Sequence, residues 1–200
     1  MSNDNTERIN FWKQKADEIR VQLNLGAAEA SQRYQEEKKE VSQWVHNMEQ
    51  KLRENSDATT EKLKIKLEEL KLQAALGKAE AEDEFREQRK KFNQSLHDAK
   101  IEAEKLSKDA NEKAKELGEE ASGYLSAWQT QFELFQVQMN LAAKDARDKW
   151  GEEKVKFQSW LDGVDNQLED LREDGKETWD TMKEEFSQGW ASLKSRLTKS

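Results

Sequence analysis

Apolar residues return every three or four positions along almost the whole chain, and no other feature constrains the fold as tightly. The first series is Trp12, Ala16, Ile19, Leu23, Gly26, Ala30 and Tyr34, continuing through Val41, Val45, Met48 and Leu52. The second opens at Leu63, Leu67, Leu70, Ala74, Gly77, Ala81 and Phe85 and runs on through Phe92, Leu96, Ala99, Ala103 and Leu106. A third holds Trp128, Phe132, Phe135, Met139, Ala142, Ala146 and Trp150, then Phe157, Leu161, Val164, Leu168 and Leu171. The steps drift toward three, four, four, an 11-residue period of about 3.67 residues per turn that favours straight or slightly right-handed packing. The chain has no Pro, which argues against a loop-rich fold or a β-sandwich. Interleaved Glu and Lys suit the solvent faces of long helices. The expectation is all-α: long amphipathic helices forming an elongated antiparallel bundle or coiled coil.

Three places are expected to break these helices. Asn55, Ser56 and Asp57 ahead of Thr59 and Thr60 offer short polar side chains that compete with the helical backbone. Gly118 to Gly123 is the second place and Asp174-Gly175 the third. Three long helices follow, over 6–54, 59–117 and 122–173, with a shorter fourth over 177–197. The apolar phase is kept across all three breaks, so an extended rod competes with folding back, which is the favoured arrangement. In domain terms, residues 1–175 form the long-helix body and 176–200 a short amphipathic helix.

The body contains a repeat. Segments 21–45, 72–96 and 137–161 align without gaps, and about nine or ten positions of each later segment match the first. Gly26, Ala30, Gly77, Ala81, Ala142 and Ala146 read as small residues that let helix axes approach. Tyr34, Phe85 and Trp150 each supply one large aromatic to the core. A second stripe recurs on the opposite face. At 100° per residue, Val21 and Leu25 lie about 160–200° from Leu23. Leu72 and Leu76 repeat that placement, as do Val137 and Leu141, while Ile65 and Leu134 extend it. Scattered exposed apolar residues are ordinary, but recurrence at equivalent positions points to a contact face for a second copy or a protein partner.

Chemistry is hard to place on this sequence. Absence of Cys removes disulfides, thiolate sites and thiol nucleophiles. His46 and His97 occupy equivalent repeat positions, but neither has a carboxylate three or four residues away on the preceding turn, so no metal is expected. Pairs such as Glu68-Glu69, Glu119-Glu120 and Glu184-Glu185 read as solvated faces. Neither a phosphate-cradling Gly loop nor a nucleophile elbow occurs. The expectations are therefore no catalytic residue, no cofactor and no small-molecule substrate. A net charge of −8 and a pI near 5.1 argue against nucleic acid. The polar N-terminus and the lack of a long apolar run point to a cytoplasmic chain, peripheral to a membrane at most.

Trp is abundant, at seven residues. Trp12, Trp128, Trp150, Trp179 and Trp190 fall on the core stripe, and Trp44 and Trp160 sit one position beside it. Burial is the simplest role, since aromatics give a thin helical body large buried area. Trp179, Phe186 and Trp190 line one face of the last helix, which also carries Lys194, Arg196 and Lys199, a pattern able to meet lipid or a partner. The ending, Trp179-Asp180-Thr181-Met182-Lys183 and Gly189-Trp190-Ala191-Ser192-Leu193-Lys194, resembles the tail of a family of small bacterial coiled-coil proteins named from cyanobacteria and labelled stress-response proteins. The 11-residue period is similar to that of apolipoprotein-like and desiccation-protective helical proteins, without the punctuating Pro of the former and with far more Trp and Phe than the latter. What the resemblance implies is a non-enzymatic, stress-related coiled coil. Two functions are carried forward: a helical scaffold that self-associates or docks a partner through its apolar faces, and a reversible amphipathic-helix binder of lipid, membrane or granule surfaces.

Overall fold

The computed structural model describes residues 3–54, 60–77, 82–139, 144–170 and 177–198. The described residues form seven helices and no strand: α1 (Asn3–Gln22), α2 (Ala27–Glu54), α3 (Glu61–Ala75), α4 (Glu82–Asp109), α5 (Glu112–Met139), α6 (Lys144–Asp170) and α7 (Glu177–Thr198). The protein is all-α. The expected helices over 6–54 and 59–117 are each divided, and the third begins ten residues early, at Glu112. Residues 55–59 and 171–176, two of the expected breaks, lie outside the described residues.

The unexpected divisions inside the repeats share one location. Gln22, Ala75 and Met139 end helices at nearly the same repeat position, and α2, α4 and α6 then run for 28, 28 and 27 residues. The first of these turns shows why the chain stops. Asn24 Nδ2 donates to the carbonyl of Arg20 at 3.0 Å, satisfying an acceptor that the end of α1 would leave open. The Gly26 amide donates to Glu29 Oε2 at 3.0 Å, and the Gly26 carbonyl accepts from the Ala30 amide at 2.8 Å. Gly26 is thus the N-cap of α2, and Glu29 reaches back as in a capping box. At the second turn Leu76 is extended, and the buried ammonium of Lys38 donates to its carbonyl at 2.6 Å.

Gly26 and Gly77 therefore lie at helix ends rather than in the core. Both are exposed, and a Cβ at Gly77 would meet nothing within 4 Å, while one at Gly26 would come no closer than 3.8 Å to Glu29. Neither adopts a positive φ. Gly77→Ala is expected to gain about 0.4–1 kcal/mol by restricting the unfolded chain, whereas Gly26→Ala replaces a good N-cap residue by a poor one and is expected to lose stability. A denaturant titration giving a loss at Gly77 or a gain at Gly26 would refute that reading.

The chain divides into two compact units, one of Met1–Ser31 with Thr130–Ser200 and one of Gln32–Gln129. In the second unit α3 packs along α4. Leu63, Leu67, Leu70 and Ala74 face inward with Phe92, Leu96, Ala99 and Ala103. Tyr34 meets Phe85 and Phe92 edge-on, at 6.0 Å between ring centroids in each case. In the first unit α1 packs on α6 and α7, and α6 on α7. Trp12, Ala16, Ile19 and Leu23 are buried there, as are Phe157, Leu161, Val164, Trp190 and Leu193. The Trp160 indole stacks on Phe157 at 5.0 Å and covers Gly189.

The expected break at Gly118–Gly123 does not occur. These residues lie inside α5, and the chain turns earlier, at Ala110 and Asn111. There Asn111 Oδ1 accepts from the Ala114 amide at 3.0 Å, a side-chain N-cap.

Candidate interaction surface

Among the described residues few large apolar side chains are exposed, and their positions are informative. Val21 is 60% exposed and Leu72 64%, and these two are repeat equivalents. Leu76 is 43% exposed, whereas its equivalent Leu25 is half-buried. Val137 is half-buried, and Leu141 lies outside the described residues. Ile65 is 50% exposed and shares α3 with Leu72. Seven residues on an α-helix return to within about 20° of the starting direction, so the two stand in line. Leu63, Leu67, Leu70 and Ala74 occupy the opposite side of α3 and are buried. This short helix is apolar on two faces.

Leu134 corrects the expectation. It was placed on the second stripe but is fully buried, because Thr130, Gln131, Phe132, Leu134, Phe135 and Gln138 are all buried and together cover an arc of about 200° on α5, wider than a single core stripe. Helical angle alone cannot tell an outer face from a second inner one. Val155, 61% exposed on α6 in the first unit, was not singled out, since its repeat equivalents are Lys39 and Lys90.

Trp190 is buried, and its Nε1 donates to Glu133 Oε2 at 2.6 Å. The side chains of Trp179 and Phe186 lie outside the described residues. His46 and His97 are exposed, and a ring nitrogen of His46 is 3.1 Å from Gln50 Nε2. Among the described residues no group of three His, Asp or Glu side chains converges as metal ligands would. Among them, too, no helix is long and apolar enough to cross a membrane.

The repeat also supplies polar ties that periodicity does not reveal. Gln22, Gln73 and Gln138 are repeat equivalents. Gln22 Nε2 donates to the Gln131 carbonyl at 3.0 Å, and Gln138 Nε2 donates to the Gln22 carbonyl. These buried bonds fix the end of α1 against α5 in the first unit. Their signal in the sequence was an identical polar residue at one repeat position beside the core stripe.

In the second unit, burial raises the Tyr34 phenol above its ordinary range near 10, with the Arg89 charge opposing the shift in part. Burial lowers the Lys38 ammonium. For Tyr34 the linkage has a definite sign: the folded state holds the proton that the unfolded chain begins to lose near pH 10. Its contribution is fully present below that pH and is lost as pH rises further. Unfolding titrations between pH 9 and 11 should show stability falling more steeply in the native sequence than in Tyr34→Phe. Parallel profiles would refute the assignment.

No family, curated protein or solved structure matches this chain.

Proposed function

We propose that the protein is a non-enzymatic helical scaffold, an elongated bundle or coiled-coil body that self-associates or docks a protein partner through the apolar faces its repeats turn outward. The observation that carries this reading is the exposure of Val21 and Leu72 at equivalent repeat positions, 60% and 64%. A large apolar residue left in water forgoes about 1.5–3 kcal/mol of burial, and partner contact recovers part of that. The reading sets the protein in a cytoplasmic, stress-related setting, in keeping with the resemblance of its last helix. Binding to lipid or granule surfaces is the competing function, and it uses the core stripe and the Trp179, Phe186 and Trp190 face instead.

The two separate in one experiment. Val21→Asp, Leu72→Asp and Leu76→Asp together replace exposed side chains, so helicity by circular dichroism should be unchanged. Light-scattering mass should fall to the monomer value of 23.4 kDa for a self-associating chain, or partner capture should be lost at unchanged mass. A monomeric native protein whose Trp emission shifts to the blue on mixed lipid vesicles would replace this reading with the lipid one.

A further inference from the structure

The apolar phase is the same along the whole chain, so a helix sliding one turn past its neighbour would still set apolar residues on apolar ones. Something other than the stripe must fix its level. We propose that Gln22, Gln131 and Gln138 form a register lock in the first unit, buried amides that hold α1 at one level along α5 at the expense of stability. The inference stands apart from the scaffold reading. Gln131 and Gln138 are seven residues apart, within about 20° of one direction on α5. Both are buried, as is Gln22 at the end of α1. Gln22 Nε2 donates to the Gln131 carbonyl at 3.0 Å, and Gln138 Nε2 donates to the Gln22 carbonyl. Gln131 Nε2 in turn lies 3.3 Å from Glu18 Oε2, one turn back along α1.

Two observations separate a lock from ordinary stabilising contacts. The first is that each amide is only half used. Among the described residues nothing donates to the Oε1 atoms of Gln22, Gln131 and Gln138, although all three are buried. Turning an amide over would set its oxygen against the carbonyl or carboxylate that now accepts its N–H, so the orphaned acceptors are fixed in place. Buried acceptors without donors destabilise, and apolar side chains of similar size would avoid that. The second observation is that the bond from Gln138 reads the end of a helix. The Gln22 carbonyl lies in the last turn of α1, takes the Leu25 amide at 3.0 Å and keeps a lone pair for Gln138. One turn back, the Glu18 carbonyl is inside α1 and is held by its own helical amide. Slipping α1 by a turn would strand whole buried amide groups, N–H and oxygen together. A single buried amide sets register between paired helices in the same way. The residue recurs as Gln73 in the second repeat, with its Oε1 likewise orphaned. A lock shared by the repeats fixes level along an axis, not which repeat is which.

The chain has no Cys, so a pair of nitroxide labels can be introduced without removing any native thiol. Labels on Asp17→Cys in α1 and Gln136→Cys in α5, an exposed and a half-buried position, report the level of one helix against the other. Dipolar spectroscopy is run on the full chain, diluted into excess unlabelled protein so that only distances within one chain are read. The native glutamines should give one narrow distance. Gln22→Leu with Gln138→Leu should keep its helicity by circular dichroism and a urea midpoint at least as high as before. It should also gain a second distance displaced by up to about 5 Å, one helical turn. Gln138→Leu alone should gain less of it, and Gln43→Leu, at an exposed position, none. A single unshifted distance in the double variant would overturn the proposal. So would a lowered urea midpoint or lost helicity, either of which would make the amides plain stabilising contacts. Equal broadening in Gln43→Leu would overturn it as well. None of these outcomes bears on the exposed Val21 and Leu72, so the scaffold reading stands or falls separately.

Discussion

Phe92→Ala is expected to cost about 3–5 kcal/mol, the range for removing a fully buried aromatic ring from a packed core. The ring is inaccessible to solvent and meets Tyr34 edge-on. It also lies beneath Lys38, whose ammonium is 5.7 Å from the ring centroid. That cation is itself buried, and its hydrogen bond to the Leu76 carbonyl closes the end of α3. Losing the ring therefore opens a cavity and removes the aromatic face beside a poorly solvated charge. Phe92→Leu keeps most of the volume and should cost less than half as much. The measurement is the urea midpoint at unchanged slope. The repeat extends the prediction, because Phe157 stands at the equivalent position and is just as buried. Its loss should fall in the same range, whereas a cost below about 1 kcal/mol at either site would show that the ring does not fill a packed core.

Phe92 and Phe157 also mark how far the sequence could be read. Trp12, Ala16, Ile19, Leu23, Leu63, Leu67, Phe92, Leu96, Phe157, Leu161 and Val164 are buried as their spacing by threes and fours implies, because a helix face turned inward must be apolar whatever its partners are. The division of the helices was less legible. The turn at Asn24, Leu25 and Gly26 preserves the apolar phase on both sides, so periodicity runs through it unbroken. Only the chemistry of the caps betrays it: Gly26 followed three residues later by Glu29, and Asn111 ahead of Ala114. Those cues were present in the sequence, and they outrank a continuous stripe when helix ends are being placed. Of the candidate face, Val21, Leu72 and Leu76 were legible as residues opposite the core. Leu134 was not, since its surroundings depend on elements distant in the chain that widen the buried arc of α5 beyond one stripe.

Glycine gave the most misleading signal, and it yields the second large effect. Gly118→Ala is expected to destabilise the protein by about 2–3 kcal/mol. In an exposed helix interior the same exchange stabilises by about 1 kcal/mol, since Ala is the better helix former. Here the methyl group has no room. A Cβ at Gly118 would stand 2.5 Å from the Ser107 amide nitrogen, 2.8 Å from the Ala103 carbonyl oxygen and 3.0 Å from the Leu106 carbonyl carbon. All three atoms belong to the backbone of α4, which cannot rotate aside as a side chain would. The approach is this close because only Ala110 and Asn111 separate α4 from α5, with the Asn111 cap fixing the start of the returning helix. Gly189→Ala meets a softer obstacle, the Trp160 indole at 2.3 Å, and should cost less because that ring can shift. The three exchanges form a series with opposite signs: a gain at Gly77, a modest loss at Gly189 and the largest loss at Gly118. Urea titration of the three variants side by side measures that order. A gain at Gly118 would mean that α4 and α5 stand further apart than this turn allows.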